Sequence, residues 1–230
     1  MASRIGVFAT SVGTKVLIGL SGLFLVFYLL IHIGGNLVVF AGPAAYNRYA
    51  FTLEHNKALL YPLELVILAG FLVHIYKTVT MFLANQQTRP VGYVQKKRAG
   101  KPSRKTFAST TMIASGLWLI VFLIFHVKAF REGWGANEYE WAAGGRDLYR
   151  QEMEIFSNPL LVVFYVLSML VVGSHLWHGV SSAFQSLGID HPRVTPKLLT
   201  AGKLLAVLIA GGFIVIAAWA YLTQGGRVRA

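Results

Sequence analysis

Residues 12–40 read VGTKVLIGLSGLFLVFYLLIHIGGNLVVF, an apolar run interrupted by one cation, Lys15, near its start. A helix needs about 20 such residues to cross a hydrocarbon core of about 30 Å. This run is longer than that, and it carries a histidine, His32, in its second half. It is too long for the apolar core of a signal peptide and lacks a small-residue cleavage site, so it reads as a membrane-spanning helix retained in the protein.

The same pattern recurs along the chain, over residues 58–84, 108–130, 159–184 and 203–222. The expected fold is an all-α integral membrane protein with five transmembrane helices in a single membrane domain, 1–230. Composition points the same way. Of 230 residues, 55% are hydrophobic and 13% charged, where a soluble domain carries roughly a quarter charged. Asn158-Pro159 is a natural helix start, because proline fits the first turn. The net charge of +12 is read as topology and contact with anionic headgroups, not as nucleic-acid binding. The chain has no cysteine, which excludes disulfides, thiolate zinc sites, cysteine-bound iron–sulfur clusters and covalently attached haem.

Charge in the connections predicts orientation. Arg89, Lys96, Lys97, Arg98, Lys101, Arg104 and Lys105 lie between the second and third runs with no acid among them, which places that loop in the cytoplasm. Arg4 and Lys15 before the first run agree, as do Arg193, Lys197 and Lys203 before the fifth. The connection over residues 128–154 is rich in acids, among them Glu132, Glu138, Glu140, Asp147, Glu152 and Glu154, and belongs outside. The expected protein sits in the inner (cytoplasmic) membrane with its N-terminus inside and its C-terminus outside.

Ionisable residues within membranes are costly and mark function. His32, His74, His126 and His175 fall one in each of the first four runs, and His178 follows His175 by one turn. At 1.5 Å per residue, His32 and His126 lie roughly 12 and 6 Å from the outer ends of their runs, and His74 and His175 roughly 24 and 26 Å. An outer pair, His32 with His126, and an inner pair, His74 with His175, follow from depth alone. Two histidines at one depth on different helices can supply both axial ligands of a haem iron. A single membrane histidine often only bonds a neighbouring helix, but four of them paired in depth favour two b-type haems. Gly19, Gly22, Gly70, Gly116 and Gly173 either make room for a flat macrocycle or allow close helix packing. Lys77 and His178 are candidates for propionate contacts on the inner side. Lys128 and Arg131 are the outer candidates, unless they only snorkel to the interface.

The stretches around these histidines carry a resemblance. They are SGLFLVFYLLIHIGGNLVVFAGPAAYNRYA (21–50), FLVHIYKT (71–78) with TRPVGYVQKK (88–97), TMIASGLWLIVFLIFHVKAF (111–130) and GSHLWHGVSSAFQSLGI (173–189). Together they resemble the single-subunit, five-helix, dihaem cytochrome b anchor of succinate:quinone oxidoreductases and fumarate reductases, respiratory complex II. The resemblance implies that His32 and His126 ligate the haem distal to the soluble subunits, and that His74 and His175 ligate the proximal one. It implies a flavoprotein and an iron–sulfur subunit as partners on the cytoplasmic face. It also implies a membrane quinone as substrate, menaquinone by the habit of the dihaem type.

Quinone chemistry needs hydrogen-bond donors and a titratable relay. Glu64, near the outer end of the second run, is the candidate relay or else an interfacial anchor, and Glu54 in the preceding loop competes with it. On the inner side, Ser11, Lys15, Ser21, Arg89 and His178 are candidates for a second quinone pocket or a docking surface. The residue 89–105 loop is either a contact for the iron–sulfur subunit and lipid or an orientation signal. Two other readings compete: a cytochrome b anchor of another quinone-linked dehydrogenase, and a transporter using histidines as proton relays.

Overall fold

A computed structural model describes residues 10–88, 106–131, 133 and 139–225. Arg4, Arg89 and the rest of the basic stretch over 89–105 lie outside the described residues, as does the tail beyond residue 225. Helix α1, Ser11–Asn36, continues through a 3-10 turn, Leu37–Ala41, into α2, Pro43–His55. Then come α3, Lys57–Gln87, a single turn α4, Phe107–Thr110, and α5, Met112–Arg131. Helices α6, Leu148–Ile155, α7, Pro159–Ser186, and α8, Thr195–Gly225, complete the chain. Five of these, α1, α3, α5, α7 and α8, are long and apolar enough to cross a membrane, and the protein is an all-α multi-pass membrane protein.

Helix ends are set by local chemistry. The Thr10 hydroxyl accepts from the Gly13 amide at 3.0 Å to start α1. The Asn158 side chain accepts from Leu160 at 2.9 Å to start α7, with Pro159 in the first turn as the sequence predicts. Three boundaries differ from the apolar runs. The first run leaves the α-helix at Asn36. The third is divided at Thr111, after a capping box between Thr106 and Ser109. The fifth begins at Thr195, eight residues before the apolarity does. Apolar runs report membrane depth, whereas a helix extends into the headgroup layer as long as its caps allow.

Helices α7 and α8 pack most closely. Val172, Leu176 and Val180 of α7 bury against Ala206 and Ile209 of α8. A methyl group at Gly173 would lie 3.2 Å from Cβ of Ala210, the close approach that small residues permit. Helix α1 packs on α7 and α3, and α5 packs on α7. On α3 the stripe Leu60, Glu64, Ile67, Phe71, His74 and Thr78 recurs every three or four residues, so it lies on one face. Every member is only half-buried, and no residue of α3 is fully buried. The chain itself therefore covers the histidine-bearing face of α3 only in part.

One end of the bundle is capped by α2 and α6. The reversal depends on Gly42, whose φ of 92° and ψ of 174° belong to a region open essentially to glycine. Pro43 then fixes the first turn of α2. Asn47 of α2 donates to Oδ1 of Asp147 at 2.7 Å and accepts from the Tyr149 amide at 2.9 Å, which ties α2 to α6. Gln151 donates to the Ala129 carbonyl at 2.8 Å. Arg146 donates to the Phe130 and Arg131 carbonyls, both at 3.2 Å, satisfying the last turn of α5.

Candidate functional site

The four membrane histidines form two groups in space. Near the capped end, the rings of His32 on α1 and His126 on α5 meet edge to face with centroids 5.8 Å apart. Toward the far end, His74 on α3 and His175 on α7 are close enough to interact electrostatically, and His178 also acts on His175. These are the two pairs expected from depth.

Serines hold the far pair. Ser21 Oγ donates to the Leu17 carbonyl at 2.6 Å and lies 3.2 Å from Nδ1 of His74. Its single hydrogen is committed to the carbonyl, so toward the ring it acts as acceptor for an Nδ1–H. Ser115 stands in the same place beside the other ring, 3.0 Å from the Met112 carbonyl and 2.9 Å from Nδ1 of His175. An imidazole protonated at Nδ1 carries its lone pair on Nε2, the arrangement of a metal-ligating histidine. Ser21, a candidate for an inner quinone pocket or docking surface, touches a histidine of the far pair.

Rings hold the capped pair. His32 stacks on Tyr28 at 5.4 Å and meets Phe213 of α8 at 5.4 Å. His126 contacts Phe122 at 5.5 Å, Phe130 at 5.3 Å and Tyr165 at 6.1 Å. Nδ1 of His126, the Tyr165 hydroxyl and, near the other pair, the Thr78 hydroxyl are buried with no hydrogen-bond partner among the described residues. Buried polar atoms are nearly always paired, and here the orphans cluster beside the histidines. That fits a prosthetic group whose iron and periphery supply the contacts. Phe213 also shows that α8, which has no histidine, contributes to the site.

The candidate glycines divide by role. Methyl groups at Gly19 and Gly70 would meet the Ala183 carbonyl at 3.2 Å and Phe24 at 2.7 Å, so these two, with Gly173, serve helix packing. Gly22 and Gly116 instead face the far pair, 3.2 Å from Cε1 of His74 and 3.9 Å from Cε1 of His175 on the same measure.

The remaining candidates are more dispersed. Glu64 pairs with Arg131 at 3.2 Å, with 42% and 49% of their side chains exposed, and so ties α3 to the end of α5. Glu54 pairs with Arg146 at 2.6 Å within the cap. Lys77 is half-buried with its Nζ 5.9 Å from the Tyr76 ring, and His178 is half-buried. Ser11 and Lys15 are exposed at the start of α1, while Lys128 is exposed near the end of α5. Among the described residues no three His, Asp or Glu side chains converge on one point as a metal-ion cage would require.

Sequence reading passed over Glu152. It is counted there only as one acid of an external loop, yet its side chain is 1% exposed and its Oε2 accepts from the Tyr46 hydroxyl at 2.6 Å. Burial raises its carboxyl from 4.5 to about 7, against the opposing pull of the Tyr46 hydrogen bond. The only available signal was the apolar run Met153, Ile155 and Phe156 beside it. In comparisons with protein families, curated proteins and solved structures, the chain has no match.

Proposed function

We propose that this chain is a dihaem cytochrome b membrane anchor of the succinate:quinone oxidoreductase type. In this role it passes electrons between an iron–sulfur partner subunit and a membrane quinone. The observation that carries the reading is the pairing itself, with His32 opposite His126 at 5.8 Å and serines orienting the rings of His74 and His175. His32 and His126 would hold one haem, and His74 and His175 the other, each group supplying one-electron storage.

The chain's own residues do the rest. Ser21 and Ser115 fix the tautomer and angle of the far-pair ligands, which strengthens them as donors. Phe122, Phe130, Tyr165, Tyr28 and Phe213 pin the capped-pair rings and keep water from them. Glu64, near the capped end of α3, is the candidate for moving protons to and from quinone. His178 and Lys77 lie on the far side, where propionates need donors. By resemblance, the dicarboxylate chemistry belongs to a flavoprotein partner and the quinone is menaquinone, while the charge of the connecting loops puts the far end at the cytoplasm.

A dithionite-reduced minus oxidised spectrum with a pyridine haemochrome count on the purified chain tests this. Two b haems per polypeptide are expected. One haem would remove one of the two pairs, and a colourless, intact protein would overturn the cytochrome reading in favour of a histidine-relay transporter. Succinate-dependent quinone reduction by the purified complex would separate the proposed anchor from those of other quinone-linked dehydrogenases.

A further inference from the structure

Between Glu152 and His32 runs a short chain of polar contacts that the proposed electron transfer does not use. The Tyr46 hydroxyl lies 2.6 Å from Oε2 of Glu152 and 3.3 Å from Oδ1 of Asn36. The Asn36 amide donates to the His32 carbonyl at 2.8 Å, which fixes its orientation; its nitrogen, 3.4 Å from Nδ1, is a donor and cannot accept from that ring. The contacts thus run from α6 through α2 to α1.

Tyr46 has one hydroxyl hydrogen and two acceptors for it. When Glu152 is ionised, that hydrogen belongs to the carboxylate, because a charged acceptor binds more strongly than an amide oxygen. When Glu152 is protonated, its own O–H donates to Tyr46, and the tyrosine hydrogen turns to Asn36. The state of the carboxyl is therefore transmitted to Asn36, which holds the His32 backbone carbonyl.

We propose that Glu152 is the proton-exchanging group of the His32–His126 site, taking up a proton when an electron arrives there and releasing it when the electron leaves, with Tyr46 and Asn36 relaying its state to His32. The proposal rests on the reading of that pair as a haem site. In balance, one electron comes from a low-potential one-electron donor such as a reduced viologen, and one proton comes from water. One O–H of aqueous hydronium breaks as the carboxyl O–H forms, and no other bond changes. A buried carboxyl suits the task, because a negative charge gained nearby in a medium of low dielectric is strongly felt and a proton offsets it.

Other titratable groups stand around Glu152. They are Tyr46 on α2, Tyr165 on α7, and Asp147 at the head of α6, engaged by Asn47. Helices α5 and α8 also pack on α6 and bring Lys128, Arg131 and Tyr221 to this end. Glu152 is the acid among these that burial brings to about 7, a value at which protons exchange in physiological conditions.

Infrared difference spectroscopy of the full chain in lipid, stepped from pH 5 to pH 9, is the test. A carboxylic C=O band should disappear around pH 7 together with a shift in a tyrosine C–O band. Glu152→Gln should abolish both, and Tyr46→Phe only the tyrosine component. Glu152→Asp, one methylene shorter, should move the carboxylic band, and it serves if the glutamine variant does not accumulate. In the same samples, the midpoint potential of the haem lost on His126→Ala should vary with pH in the wild type. It should be flat around pH 7 in Glu152→Gln. Absence of the band, or an unchanged potential slope in the variant, would overturn the proposal while the haem count stands. A chain without haem but with the titrating band would overturn the cytochrome reading and leave the buried proton site.

Discussion

At the far end of the bundle, His74 and His175 are each oriented by a serine hydroxyl and faced by a glycine, Gly22 or Gly116. At the capped end, His32 and His126 are oriented by aromatic rings, and above them lies a polar cap holding a buried acid. The first pair is fixed by directed hydrogen bonds and leaves space at the ring edge. The second is held by ring contacts, with Asn36 bonded to the His32 carbonyl and, through Tyr46, next to Glu152. One bundle thus gives its two histidine pairs different surroundings, hydroxyls and glycines about the far pair, aromatic rings and a nearby buried acid about the capped pair.

The largest effect expected is loss of one haem without the other. His74→Ala or His175→Ala should cut the haemochrome count from two to one and remove one component of the reduced spectrum, and His126→Ala should remove the complementary component. If either far-pair variant and His126→Ala abolished the same component, the two-pair geometry would be wrong.

Next in size is a pH effect confined to the cap. Because burial raises Glu152 from 4.5 to about 7, the folded chain binds this proton more tightly than the unfolded chain. Its contribution is fully present below pH 4.5 and is lost as pH rises through about 7, a change of about 3 kcal/mol at about 1.4 kcal/mol per unit. Relative to the wild type, Glu152→Gln should therefore gain thermal stability between pH 5 and pH 8. An identical difference in Tm at both pH values would mean that Glu152 does not titrate in that window.

Ser21→Ala and Ser115→Ala probe the opposite pair. Loss of an outer hydrogen bond to a metal-ligating histidine weakens the site about 10- to 100-fold. Haem transfer to apomyoglobin should accelerate for the far-pair component alone. Equal acceleration of both components would say that the serines support the bundle, not a ligand.

Smallest is the stability effect at Glu64. Its pair with Arg131 is 42% and 49% exposed, and such pairs contribute no more than about 1 kcal/mol. Glu64→Gln should leave Tm and both haems nearly unchanged and yet slow quinone turnover. Unchanged turnover would make Glu64 only the tie between α3 and α5.

Much of this arrangement was legible in the chain. Five apolar runs give the spanning helices because hydrocarbon thickness imposes a length that can be counted, and the caps at Asn158 and Pro159 act within their own turn. The histidine pairs were also legible, since depth in a membrane converts position along a helix into height, and partners must share a height. Neither short helix at the capped end was visible by that rule. Helices α2 and α6 cross no membrane, and their register depends on Gly42 and on contacts such as Asn47 with Asp147, a hundred residues apart.

Sequence by itself determined how many helices span the membrane, where their histidines stand in height, and what chemistry the cysteine-free chain cannot perform. Only the tertiary structure decided which histidines are held by serines, which glycines face a ring and which face a helix, and that Glu152 is a buried acid beneath Tyr46. Height along a helix follows from counting residues. The direction in which a side chain points, and what dielectric it meets there, depends on which helices become neighbours, and that is settled by packing among residues far apart in the chain.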